Sequence, residues 1–247
     1  MEVYAMGGNA VDCALAASLL TMNTEPGVCA LAGGAYVTVW GPGADAVTID
    51  GNVAVPGAGL QDEDRRRGIE PISLAYGGGI ETLVGPGSVG VPGSLAAVET
   101  AWRRFGKASW RDLFQPSIRA ARDGFPLSTA CHYYLGYSGR PIFGRSQDGY
   151  RALHDDDGSL KPARARIVVP HLAESLEAIA NDGADTFYRG ELARKIVDHV
   201  RAGDGALTLE DMAAYTAIER PALMSHLGEW LIASNPPPAV GGAVLTA

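Results

Sequence analysis

Residues Gly7 to Asn52, GGNAVDCALAASLLTMNTEPGVCALAGGAYVTVWGPGADAVTIDGN, decide the fold. Asn9 stands three positions before Asp12, a capping-box pattern with Asn in place of Ser or Thr. The Asn side chain accepts a backbone N–H, Asp12 answers it, and a helix starts. From Ala10 to Leu20 almost every residue is small or aliphatic, which predicts a helix buried on most of its faces. Glu25-Pro26-Gly27 stops it. After Gly33-Gly34, the run Ala35 to Trp40 is rich in β-branched and aromatic residues and reads as a strand. Gly41-Pro42-Gly43 then turns the chain into a second strand from Asp45 to Asp50. The expected nucleus is this helix laid on that hairpin.

Composition bounds the rest. The chain has 247 residues, 47% apolar and 19% charged, with 32 glycines, a globular balance with many tight turns. A net charge of −8 argues against nucleic acid or an anionic membrane as partner, because a phosphate surface needs a basic footprint. Arg65-Arg66-Arg67 lies among Asp62, Glu63, Asp64 and Glu70 and reads as a solvated loop. The three cysteines, Cys13, Cys29 and Cys131, are too irregularly spaced for a disulfide framework or a zinc site. Cys13, on the apolar helix, is expected to pack as a small hydrophobe. No leader pattern opens the chain and no apolar run is long enough to span a bilayer, so a cytoplasmic protein is expected.

Val53 to Gly79 reads as loop, with a short helix around Asp62 to Arg67. Gly85-Pro86-Gly87-Ser88-Val89-Gly90 matches the spacing of a dinucleotide fingerprint. A proline inside the motif, Pro92 behind it, and a helix instead of a second strand favour a plain loop into a helix. That helix runs from Ser94 to Phe105, with Leu95, Val98, Ala101 and Trp102 at helical spacing. Ser109 with Asp112 repeats the capping-box pattern, and Pro116 is read as the first position of a following helix that Gly124 ends. From Ser128 to Arg166 the pattern is weak. Asp155-Asp156-Asp157-Gly158-Ser159 lacks the glycine and glutamate positions of a calcium loop and reads as an acidic turn. His132, His154, His171, His199 and His226 show no ligand spacing. Neither a metal nor a cofactor is expected. Leu172, Leu176, Ile179 and Ala180 form one helical stripe, and Leu192, Ile196, Val197 and Val200 another. Thr208 with Asp211 caps a short helix towards Tyr215, and Trp230 to Ser234 is a strand.

These strings, in this order, resemble the N-terminal part of the large subunit of γ-glutamyltransferases. The carriers are Gly7-Gly8-Asn9-Ala10-Val11-Asp12, the Glu25-Pro26 turn, Gly90-Val91-Pro92-Gly93, Ala121-Arg122-Asp123-Gly124-Phe125, Phe187-Tyr188-Arg189-Gly190, Leu207 to Tyr215, and Pro236-Pro237-Pro238 with Gly241-Gly242. The resemblance implies an α/β (α+β) protein with the αββα sandwich of N-terminal-nucleophile hydrolases. Residues 1–247 would form a single partial domain of it, with open sheet edges. In the family the PPP-x-x-GG turn leads into a helix in mid-subunit. A helix barely begun at Gly242 has no room to finish by Ala247, so a fragment is expected.

The resemblance also implies a mechanism. A proenzyme cuts itself before a Thr, whose hydroxyl then attacks the acyl carbonyl while its own α-amine acts as base. Backbone N–H groups stabilise the oxyanion. No processing site of that kind occurs here, so no catalytic residue is assigned to this chain and the nucleophile is expected downstream, on a small subunit cut from the same precursor. The substrate is expected to be a small-molecule amide or γ-glutamyl compound. Typical members carry an Asp-Phe-Arg-Glu-x-Ala-Pro segment whose Arg binds the donor's α-carboxylate through its planar fork. Here the segment is Asp50-Gly51-Asn52-Val53-Ala54-Val55-Pro56, which puts Asn52 in the substrate-binding position. Loss of such a charge-assisted contact costs roughly 2–5 kcal/mol, so altered donor specificity is expected. The alternative at this position is a shifted loop with Arg65 supplying the charge. The alternative for the whole protein is a non-catalytic relic or binding module of the same family.

Overall fold

The computed structural model describes residues 1–245. A short helix, α1 (Glu2–Ala5), precedes α2 (Ala10–Thr24). The capping box that opens α2 is complete: Asn9 accepts from the Asp12 N–H and Asp12 from the Asn9 N–H. The hairpin β1 (Ala35–Val39) and β2 (Val47–Gly51) is antiparallel, with Tyr36 opposite Asp50 and Val37 opposite Ile49. After α3 (Asp62–Arg65) comes a second hairpin, β3 (Glu70–Leu74) with β4 (Ile80–Val84). Two helices follow, α4 (Ser94–Phe105) and α5 (Trp110–Asp123).

The strand β5 (Phe125–Pro126) pairs across α6 (Thr129–Ile142) and α7 (Gln147–Leu153) with β6 (Arg166–Ile167). Then come α8 (Leu172–Asp182), α9 (Asp185–Tyr188), α10 (Glu191–Ala202) and α11 (Leu209–Ala214). The strand β7 (Ile218–Pro221) returns to β2, giving an antiparallel sheet in the order β1-β2-β7. A last hairpin, β8 (Leu223–Leu227) with β9 (Trp230–Ser234), leads to α12 (Val240–Leu245).

Three expectations are corrected. The helix laid on the β1–β2 hairpin is α4, whereas α2 packs against α4 and α5. The reason is local: Gly51 on β2 and Ala97 on α4 leave only the Ala97 methyl between strand and helix at that point, and the Gly93 and Ser94 N–H groups both donate to Gly33 O, at 2.8 and 2.9 Å. Second, α2 buries one face, Asp12, Leu15, Ala16, Leu19 and Asn23. The opposite side, Ala10, Ala14, Ala17, Ser18 and Thr21, is exposed. Those small residues carry little apolar area to drive burial. Third, Pro116 lies inside α5 and does not open a new helix. The stripe Trp110, Leu113, Phe114, Ser117, Ile118 and Ala121 is buried continuously through it, and burying such side chains at ~1.5–3 kcal/mol each outweighs one lost helix hydrogen bond.

The main core gathers α2, α4, α5, α8 and α10 around Leu19, Ile49, Leu95, Leu113, Phe114, Leu176 and Val200. A second cluster, Phe125, Leu127, Cys131, Leu135, Leu153 and Ile167, closes the β5–α6–α7–β6 segment. No helix among the described residues is long and apolar enough to cross a membrane.

Candidate functional site

Asn52 follows directly on β2, and a cavity of about 520 Å³ opens beside it. Most of its walls come from two stretches far apart in sequence, Asp50 to Ala58 at and after the end of β2 and Glu210 to Ile218 from α11 into β7, with Val91 and Pro238 completing them. The polar residues lining it are Asp50, Asn52, Glu210, Asp211, Tyr215 and Thr216, and no lysine or arginine is among its lining residues. Val53, Ala54, Val55, Val91, Ala214 and Ile218 supply an apolar floor, as expected of a small-molecule cleft.

Each polar group has a defined state. Asp50 is 5% exposed, and a buried carboxylate needs a cation or several donors. It has a cation and one backbone donor: Arg220 Nε donates to Oδ2 at 2.8 Å and the Asn52 N–H to Oδ1 at 3.0 Å. Asp211 accepts from the Gly57 and Ala58 N–H groups at 2.7 and 3.0 Å and from both the N–H and the hydroxyl of Thr208. Burial acts to raise its pKa, but these donors outweigh burial and hold it below the ordinary carboxylate value. Glu210 is exposed and has no ion-pair partner among the described residues. The Tyr215 hydroxyl donates to Asn52 O, and burial, followed by the charge of Asp50, pushes its pKa up to about 12.

Asn52 itself is exposed at the rim. Its Oδ1 accepts the Val53 N–H at 2.9 Å, which assigns the oxygen, since a backbone donor demands an acceptor. The amide nitrogen makes no hydrogen bond among the described residues and remains as a neutral donor beside the cavity. Close packing behind it explains the Gly90-Val91-Pro92-Gly93 segment. A Cβ at Gly93 would fall 2.1 Å from the Tyr215 hydroxyl and 2.3 Å from Gly51 O, so only glycine lets this turn lie against the Asn52 loop.

Arg65 is committed elsewhere. Its Nε donates to Gly57 O at 3.0 Å, its guanidinium lies 3.7 Å from Asp62, and it does not line the cavity. The glycine-rich stretch Gly85 to Gly90 spends its amides on its own backbone: Gly87 N–H on Gly68 O at 2.9 Å and Ser88 N–H on Gly85 O at 3.0 Å. Amides so used cannot cradle a phosphate. Of the histidines, His132 and His154 bond through Nδ1 to the carbonyls of Lys161 and Tyr150. The described residues contain no cluster of His, Cys, Asp and Glu arranged to hold a metal ion.

Sequence reasoning singled out the segment Asp50 to Pro56 and gave no sign that Glu210, Tyr215 and Arg220 stand beside it. Asp211 was legible as a cap, and nothing in residues 207–220 signals proximity to residue 52.

Comparison with known proteins places the chain by family and by fold. A family model described as Gamma-glutamyltranspeptidase matches residues 1–247. The chain is 28% identical over 242 residues to the "Glutathione hydrolase proenzyme" of Escherichia coli (strain K12), covering 98% of this chain and 40% of that protein. It is likewise 28% identical over 245 residues to "Glutathione hydrolase 2" of Arabidopsis thaliana, covering 99% of this chain and 40% of that one. The chain therefore spans about two fifths of the length of these curated relatives. Among solved structures, the γ-glutamyltranspeptidase from Pseudomonas nitroreducens complexed with L-DON superimposes with a TM-score of 0.80 at 27% identity, over 99% of this chain and 69% of that one. The γ-glutamyltranspeptidase of Helicobacter pylori shares the fold with a TM-score of 0.82 at 24% identity, over 98% of this chain and 68% of its own.

Proposed function

The chain belongs to the γ-glutamyltranspeptidase family, and from that membership we propose that it is the donor-recognition part of an N-terminal-nucleophile hydrolase or acyltransferase acting on γ-glutamyl or related amide bonds. Residues 1–247 then make up one partial domain. The attacking threonine belongs to a small subunit released from the same precursor, in keeping with the word proenzyme in the name of the E. coli relative. This chain supplies the cavity that grips the acyl donor.

The observation that carries the finer reading is Asn52 beside a cavity without a lining cation. A donor carboxylate entering there meets the unpaired charge of Glu210 and no guanidinium fork. The Asn52 amide offers single neutral hydrogen bonds, which suit a carbonyl or hydroxyl acceptor. The preferred donor is therefore an acyl compound without a carboxylate at the γ-glutamyl α-position.

The test uses the full-length protein and two chromogenic anilides: γ-glutamyl p-nitroanilide, and 4-aminobutyryl p-nitroanilide, which lacks only the α-carboxylate. The expected result is a higher kcat/KM on the second. Asn52→Arg should raise kcat/KM on the first by about thirtyfold or more, the lower end of a charge-assisted contact. Efficient γ-glutamyl turnover that is indifferent to Asn52 would overturn the reading. A gel showing one precursor giving two fragments separates an enzyme from a non-catalytic relic.

A further inference from the structure

We infer that Arg220 and Tyr215 are positioning residues for the donor-recognition loop, acting through Asp50 and Asn52. The inference rests on the reading of Asn52 as a donor contact. Both backbone polar groups of Asn52 are held from opposite sides. Its N–H is bound by Asp50 Oδ1 at 3.0 Å, and its carbonyl accepts the Tyr215 hydroxyl. Asp50 is in turn held by Arg220 Nε at 2.8 Å. Asp50 and Arg220 are 170 positions apart and Asn52 and Tyr215 are 163 apart, so the stretch behind α11 acts as a clasp over the end of β2.

The physics gives the two anchors different strengths. Asp50 is 5% exposed and has one cation against it. Removing that cation leaves a buried carboxylate with only one backbone donor, a state that water entry or strand displacement must relieve. The sheet register magnifies this, because Asp50 lies opposite both Tyr36 and Ile218 in the β1-β2-β7 sheet. Tyr36 Oη is buried nearby without a hydrogen-bond partner, and its phenol can offer one neutral hydrogen bond but no charge in place of the guanidinium. Tyr215 is the milder anchor. Its phenol contributes one neutral hydrogen bond and packs parallel to Tyr188, ring centroids 5.9 Å apart. Arg220 reaches the donor only through Asp50, since it does not line the cavity. Its substitution should therefore move the loop more than it moves the chemical step.

The experiment uses the full-length protein and the variants Arg220→Met, Arg220→Lys and Tyr215→Phe. Hydrogen–deuterium exchange reads the amides of Asn52 to Ala54 against those of α4. Exchange in the loop should quicken by about tenfold in Arg220→Met and less in Tyr215→Phe, with α4 unchanged and most protection restored in Arg220→Lys. With 4-aminobutyryl p-nitroanilide, the KM of Arg220→Met should rise about fivefold or more while kcat moves less, and Arg220→Lys should recover most of it. Unchanged loop exchange in Arg220→Met and Tyr215→Phe would overturn the inference. So would quickened exchange with unaltered KM in an active enzyme. If the wild-type protein turns over neither anilide, the proposed activity fails, and the exchange comparison alone decides whether Arg220 and Tyr215 hold the loop. Should Arg220→Met not fold, Tyr215→Phe, which deletes a single oxygen atom, carries both readouts.

Discussion

Asp211 shows how much one side chain does here. It is 8% exposed, closes the capping box of α11, and ties down the Gly57 and Ala58 amides 154 and 153 positions away. Replacing it with alanine removes half of the capping box and orphans three backbone donors, Gly57, Ala58 and Thr208, an expected loss of about 2–4 kcal/mol in urea unfolding at pH 7. Its depressed pKa fixes the sign of the pH effect. A folded value below the unfolded one stabilises the protein above the ordinary carboxylate pKa of about 4, and that stability is lost as pH falls through the folded value. Melting of wild type and Asp211→Ala between pH 7 and pH 3 should therefore converge at the acid end. A constant gap across that range would count against the assignment. The capping role was legible, because Thr208 and Asp211 are three apart. The reach to Gly57 was not, since nothing local marks a partner so distant. Asp12 repeats the lesson: its box with Asn9 was readable, and its bonds to the Lys107 and Ala108 amides were not.

Among the elements, α4 and β2 approach closely. A Cβ at Gly51 would lie 2.5 Å from both Ala97 Cβ and Gly93 O. Gly51→Ala should lower the melting temperature, at a cost of about 1–3 kcal/mol from overpacking. Adding Ala97→Gly should recover only part, because the Gly93 carbonyl still blocks the space. In α5, Pro116→Ala restores a helix N–H and should raise stability by about 1–2 kcal/mol in the same assay; a loss would mean that the helix depends on the proline. Helices with clean periodicity and a closing glycine, α4, α8 and α10, and the strand β9 could be read from sequence. The hairpin β3–β4 could not. It begins Glu70-Pro71, buries little besides Leu74 and Val84, and turns through Gly77-Gly78-Gly79, so it looks like loop. Helix α6 was hidden because its buried face is Cys131, Leu135, Ser138 and Gly139, only partly apolar, with Gly136 and Pro141 inside it.

At the scale of the molecule, the two cores leave apolar surface uncovered. Leu227 and Trp230 on the β8–β9 hairpin are 68% and 76% exposed, and Val240, Val244 and Leu245 on α12 are 74%, 69% and 76% exposed. Patches of that kind drive association, and β1 and β7 are open sheet edges besides. A preparation of residues 1–247 alone should self-associate with rising concentration in sedimentation velocity. The pair Leu227→Lys and Trp230→Glu should shift it towards monomer, and no shift would place the association elsewhere on the surface.

What the sequence determined by itself were the local decisions: the caps, the periodic helices, the first hairpin, and the ordered strings that resemble the family. Those depend on neighbours within a turn or a strand pair, where residue type acts directly on the backbone. Only the tertiary structure decided which helix covers the hairpin, which faces stay open, and that Asp50, Asn52, Tyr215 and Arg220 meet. Such meetings depend on the summed burial of the whole chain, and no residue carries a local mark of the partner that burial assigns to it.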